Sequence, residues 1–307
     1  MDFRERVKGA LLGLGVGDAM GGPLAIMSRE QILIKHGSVT EMIGGGWQGL
    51  RPGQSTDELE LALLLGESLI EKGAYDRADV ASRYVGYLDS RPTGLDNITR
   101  AALGAIASGT SADEASRVAA QLTGEDGSTG GTLVRTVPIG ILRARDEGGM
   151  VGDTLSDAGL THAAVESLSG SVIANLFLAK LLAGVGGFNA LFDDVEGRLR
   201  EGIEGVRPIL SPVRQLEEPE LRPAGGVSDT LETALFTLYW GDSFEDAVLR
   251  GIRLGGPTAT IGGLVGAFAG AFHGPGALPD RWLSMLENRG RLERLADSLS
   301  GPGGVAA

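Results

Sequence analysis

A chain of 307 residues, 42% hydrophobic and 22% charged, has the composition of an ordinary globular protein with material for one large core or two smaller ones. Its net charge of −13, with no basic run, argues against nucleic acid or an anionic membrane as partner, because both require clustered Lys and Arg. The absence of cysteine excludes disulfides, a thiol nucleophile and any Cys-based zinc site.

The N-terminus, Met1-Asp2-Phe3-Arg4-Glu5, is too charged for the apolar part of a signal peptide. Val7, Ala10, Leu11 and Leu14 share one face and predict an amphipathic helix over residues 3–16, ended by the glycine-rich run 15–23. Asp18 lies in that run. It suits either a turn aspartate bonded to nearby backbone or a ligand-facing group where glycines admit close approach. Residues 41–55 form a loop. Thr56-Asp57-Glu58 then starts a helix whose apolar face is Leu59, Ala62, Leu63, Gly66, Leu69 and Ile70, with Gly73 as its stop. Ser55-x-x-Glu58 has the spacing of a capping box. The same residues also set a hydroxyl and two carboxylates at a helix start, suited to a metal ion or acid–base chemistry.

Further helices are expected over residues 76–89 and 111–122, the second opening on the capping-box spacing of Ser111 and Glu114. The polar, glycine-rich loop 123–132 runs into an apolar stretch carrying Arg135. Glycines ahead of a helix and one Arg suit an anion cradle, and an Arg among apolar residues needs a partner. His162, one of three histidines with His36 and His273, follows a polar linker and precedes an apolar helix over residues 163–183. A lone His there is more often a cap or a satisfied partner than a ligand.

Pro208, Pro212, Pro219 and Pro223 mark residues 207–224 as an irregular surface connection. Asp229 precedes a helix over 230–240, and another runs from Asp242 to near Leu254. The stretch 255–263 then opens a small-residue helix in which Gly262, Gly266 and Gly270 recur every four residues, a face that admits another helix very closely. Its apolar core, Ile261 to Phe272, falls short of the roughly 20 residues that span a bilayer. A final helix and a disordered tail at 301–307 close the chain. No segment has strand periodicity. The expectation is all-α, a single domain over residues 1–300, in the cytoplasm.

These motifs resemble those of the ADP-ribosylglycohydrolase family, in order and over about residues 5–285. Gly17-Asp18-Ala19-Met20-Gly21-Gly22-Pro23 matches its Gly-Asp-Ala-x-Gly-x-Pro, and Thr56-Asp57-Glu58 matches its Thr-Asp-Asp at a helix start. Val134-Arg135 with Pro138, Thr161-His162, and the run from Asp229 to Leu235 match as well. Gly255 to Thr260 stands for the Gly-Gly-Asp-x-Asp-Thr motif, and Pro279-x-x-Trp282 for the ending. The resemblance implies a single all-α domain with a dinuclear magnesium or manganese site that holds the ribose of ADP-ribose while water cleaves the glycosidic bond.

Several matching positions depart from that pattern. The aspartates of the C-terminal motif are Pro257 and Ala259, and a glutamate after the Gly-Asp motif is Ala25. The second Asp of the helix start is Glu58, the following Thr is Leu59, and an Asn of the glycine-rich loop is Gly130. Thr56, Asp57, Glu58 and Thr260 remain, too few oxygens for two hard cations. The expectation is therefore a protein without resident metal. Asp57 and Glu58 are the acid–base candidates. Asp18, Thr56, Arg135, His162, Asp229, Thr258 and Thr260 are the candidates for binding an ADP-ribose-like or other small molecule. The alternatives are an inactive binder of such a ligand and a hydrolase with a single ion.

Overall fold

A computed structural model describes residues 1–184, 186–208, 213–224 and 226–301. Part of the proline-rich connection and residues 302–307 of the expected tail lie outside the described residues. The helices are α1 (Phe3–Gly21), α2 (Arg29–His36), α3 (Asp57–Lys72), α4 (Arg77–Asp89), α5 (Asn97–Ala107), α6 (Ala115–Thr123), α7 (Gly131–Arg135) and α8 (Val137–Leu142). They continue with α9 (Glu147–Ala158), α10 (Val165–Ala183), α11 (Phe188–Glu201), α12 (Val227–Trp240), α13 (Phe244–Arg253), α14 (Thr258–His273), α15 (Asp280–Leu283) and α16 (Arg289–Leu299). No strand forms among the described residues beyond three isolated bridges, so the fold is all-α.

The centre of the molecule is a pair of antiparallel helices. Every residue of α14 from Thr258 to Ala271 is buried, so the helix shows no amphipathic stripe. Along it lies α1. A Cβ built on Gly9, Gly13, Gly17 or Gly21 of α1 would stand 2.1, 2.0, 1.8 or 2.0 Å from the carbonyl oxygen of Gly270, Gly266, Gly262 or Thr258 respectively. Each such glycine costs about 1 kcal/mol of helix stability relative to alanine. What it allows is backbone-to-backbone packing along four turns.

That register corrects the expected end of the first helix. The glycine-rich run is no turn: α1 continues through it to Gly21 because tertiary packing against α14 outweighs weak local propensity. Asp18 therefore sits in the last turn of a core helix, beside the N-terminus of α14.

The second core helix is α10, packed against α8, α9, α11, α12 and α14. Among the described residues it alone has the length and hydropathy to cross a membrane, and 78% of that window is buried inside the protein. Two other local expectations are corrected. The capping box at Ser55 does not form: Thr56 is the N-cap of α3, while the Ser55 hydroxyl accepts from Asn288 at 2.8 Å. The polar linker before Leu160 is α9, which buries Met150, Thr154, Asp157 and Ala158.

Candidate functional site

The antiparallel register brings the C-terminal end of α1 to the start of α14, and the starts of α3, α5 and α12 meet there. Glu58, in the first turn of α3, accepts from the Thr260 hydroxyl of α14 at 2.8 Å (Oε1) and 2.9 Å (Oε2). A Cβ built on Gly131 would stand 3.7 Å from Asp96 Oδ2, at the N-cap of α5, and 3.9 Å from Glu58 Oε1. One built on Gly130 would lie 3.2 Å from the methyl of Thr260 and 3.4 Å from that of Thr230 in α12. The glycines at 130 and 131 thus bring the loop beside these carboxyls and the helix starts with no side chain between them. The loop feeding them is pinned by Ser167, whose hydroxyl meets the Gly127 carbonyl at 2.7 Å and the Thr129 carbonyl at 3.0 Å.

Asp18 is fully buried and clamps the start of α3. Its Oδ2 accepts from the Thr56 amide at 2.8 Å and its Oδ1 from the Thr56 hydroxyl at 2.5 Å. Burial pushes the Asp18 carboxyl up to about 7, against the lowering effect of both Thr56 bonds. Glu58 is half-buried and is pushed up to about 8, first by burial and then by the charge of Asp18; its bond from Thr260 works the other way. At neutral pH Glu58 is therefore largely a neutral acid. Asp57 faces a different neighbour: its Oδ1 accepts from the Tyr87 hydroxyl of α4. Its Oδ2 is buried near Gly94 with no hydrogen-bond partner among the described residues. Burial raises the Asp57 pKa and the Tyr87 bond opposes that.

A buried polar chain reaches the site from the core. The Arg135 guanidinium donates from Nε to Asp157 Oδ2 at 2.8 Å, from Nη2 to the Asp157 carbonyl at 2.9 Å and from Nη1 to the Thr161 hydroxyl at 2.8 Å. Tyr84 donates to the other Asp157 oxygen at 3.1 Å. His162 Nδ1 lies 2.7 Å from the Thr161 hydroxyl, and its Nε2 lies 2.7 Å from the Thr129 hydroxyl. Arg135 can only donate, so the Thr161 proton goes to Nδ1. The imidazole proton then sits on Nε2 and points to Thr129, whose own proton faces Asp96 Oδ2 at 3.4 Å. Burial pushes His162 down to about 4, helped by Arg135 and opposed by Asp96, so the ring is neutral at pH 7.

The structure thus gathers Asp18, Thr56, Glu58 and Thr260, and links His162 to the same cleft. Arg135, expected at a ligand, is instead 1% exposed and committed to Asp157 and Thr161; an arginine so deep needs those partners. Thr258 spends its hydroxyl on the Gly21 carbonyl at 2.7 Å, securing α1 to α14. Asp229, in the first turn of α12, accepts from the Gly226 amide at 3.3 Å. Asp96, Thr129, Tyr87 and Asp157 were not anticipated. Asp96 carried a legible helix-start signal, since it accepts from the Thr99 amide at 2.6 Å, but that signal speaks of capping and not of a site.

Comparison with known proteins agrees with the all-α fold. A family model described as ADP-ribosylglycohydrolase matches residues 1–305. The chain is 30% identical to the ADP-ribosyl-[dinitrogen reductase] glycohydrolase of Rhodospirillum rubrum, over 92% of this chain and 90% of that one. It is also 30% identical to the ADP-ribosylarginine hydrolase Tri1 of Serratia proteamaculans (strain 568), over 96% of this chain and 79% of the relative. A solved structure, an ADP-ribosylglycohydrolase-related protein complex, superposes with a TM-score of 0.80 at 30% identity, covering 97% of this chain and 98% of that one.

Proposed function

Because the chain belongs to the ADP-ribosylglycohydrolase family, we propose that it hydrolyses the glycosidic bond of an ADP-ribose-like or other nucleotide-derived compound without a resident pair of metal ions. The observation that carries this is the pairing of a neutral acid, Glu58, with a second carboxyl, Asp96, across the open Gly131 position. Their facing oxygens are less than about 8 Å apart, which does not exceed the roughly 9.5 Å upper limit of carboxyl pairs in glycosidases. Glu58 gives its proton to the leaving atom as the glycosidic bond breaks. Asp96 takes a proton from water, whose oxygen bonds to the anomeric carbon. Thr260 holds the acid in place, and the chain through His162 orients Thr129 toward Asp96. Asp57, held by Tyr87 on α4, serves in this proposal as a support of the helix start and not as the second carboxyl.

The donor set supports a site without two hard cations. The Thr56 hydroxyl is engaged by Asp18 and the Thr260 hydroxyl by Glu58. Ala25, Pro257 and Ala259 offer no side-chain oxygen. Among the described residues no group of three or more His, Cys, Asp or Glu side chains is placed to share an ion. The charges of Asp18, Asp96 and Asp57 each raise the proton affinity of Glu58, and a bound proton moderates that repulsion. The overall acidity and absence of cysteine fit a cytoplasmic setting and a small-molecule partner.

The test is release of ADP-ribose from an ADP-ribosylarginine peptide in excess chelator. Wild-type protein should turn over. Glu58→Gln should lose about 10²-fold or more while ADP-ribose binding by calorimetry is retained. Binding without turnover in the wild type would leave the inactive-binder reading in its place. A strict requirement for added Mg²⁺ or Mn²⁺ would contradict the metal-free proposal.

A further inference from the structure

We infer that a second, anion-binding site lies at the opposite end of the α1–α14 pair, where Arg6 and Arg145 face a cavity of about 410 Å³ suited to a phosphate or diphosphate group. Phe3, Ala144, Leu182 and Gly184 complete most of its wall, and its lining contains no carboxylate. That is unusual surroundings for two arginines in a chain of net charge −13. The volume falls in the range of small-molecule pockets, roughly 300–1,000 Å³.

Arg6 is already fixed. Its Nη1 donates to the Leu181 carbonyl at 3.3 Å and the Ala271 carbonyl at 3.1 Å, in the last turns of α10 and α14. This balances the negative ends of two helices. Its Nε and Nη2 have no hydrogen-bond partner among the described residues. They lie by Gly184, where a Cβ would stand 3.4 Å from Nη2, 3.5 Å from Nε and 3.6 Å from Cζ. The Nε–Nη2 edge is one face that a guanidinium presents to an oxyanion in a two-bond fork.

Arg145 supplies the unbalanced charge. Its guanidinium carbon lies 5.2 Å from the centroid of the Phe3 ring, which orients it, and it has no acidic partner among the described residues. Its neighbour Arg143 differs, being paired with Asp146 and Asp153 at 3.0 and 2.8 Å. Residues 6 and 18 of α1 are separated by roughly 18 Å at 1.5 Å per residue, so this cavity is distinct from the cleft at Glu58.

Calorimetric titration of the full chain with inorganic pyrophosphate at low ionic strength tests the inference, with ADP as a second probe. A saturable site weakened at least tenfold in Arg145→Ser and in Arg6→Gln is expected, apart from any binding at the Glu58 cleft, which neither substitution touches. Arg6 also holds two helix ends, so Arg145→Ser, at an exposed position, decides the matter if Arg6→Gln fails to fold. Tighter binding of ADP than of pyrophosphate, lost in Arg145→Ser, would identify a nucleotide as the source of the phosphate. Equal binding would identify the free anion. No saturable pyrophosphate binding, or binding indifferent to Arg145→Ser, overturns the inference.

Discussion

Glu58 owes its neutral state to its neighbours, with burial and Asp18 raising its proton affinity and Thr260 restraining it. Thr260→Val removes that restraint together with the bond that aims the carboxyl. Activity should fall about tenfold, the equivalent of one modest hydrogen bond, and the alkaline limb of the rate profile should move upward. An unchanged profile would show that Thr260 does not act through Glu58. At this scale the sequence marks Thr56, Asp57, Glu58 and Thr260 as polar residues at helix starts. For Asp96 it carries only a helix-start signal, because the side chain does ordinary capping while also facing Glu58. Arg135 was legible only as needing a partner. Its partner Asp157 lies on α9, a helix hidden by its three glycines and polar residues.

The α1–α14 contact is where individual glycines decide the fold. Gly13→Ala would place a methyl 2.0 Å from the Gly266 carbonyl oxygen, with no flexible side chain to yield. Thermal denaturation should show a loss of about 3 kcal/mol or more, or no folded protein. Gly86→Ala, within α4 where a Cβ meets nothing within 4 Å, should instead be neutral or stabilising by up to about 1 kcal/mol. Similar losses at both positions would mean that propensity, and not helix contact, governs them. The period of four in Gly262, Gly266 and Gly270 was visible in the sequence as a close-packing face. Its partner row, Gly9, Gly13, Gly17 and Gly21, has in part the local pattern of a turn, because local propensity cannot reveal a contact with a helix more than 200 residues away. α5 was missed for a related reason: its buried face is only Ile98, Thr99, Ala102, Leu103 and Ala105, mostly small residues.

For the whole molecule, the raised carboxyls make stability depend on pH. Asp18 and Glu58 bind protons more tightly folded, at about 7 and about 8, than at their ordinary 3.8 and 4.5. Between those limits the native state holds more protons, so stability falls as pH rises, by up to about 1.4 kcal/mol per pH unit for each group. His162, lowered to about 4 from 6.5, acts in the opposite sense below pH 6.5 and does not affect the alkaline side. The melting temperature should therefore drop between pH 6 and 8.5, and Asp18→Asn, which keeps an acceptor for Thr56, should flatten part of that drop. A flat wild-type curve would mean that neither carboxyl carries a proton in the fold.

The central claim is that a neutral Glu58 supplies the proton a metal-free hydrolysis needs. The most direct measurement is the rate of ADP-ribose release as a function of pH, with chelator present throughout. A single-proton decline is expected as pH rises through about 8. A rate that climbs through that range, or appears only when Mg²⁺ is restored, would contradict it.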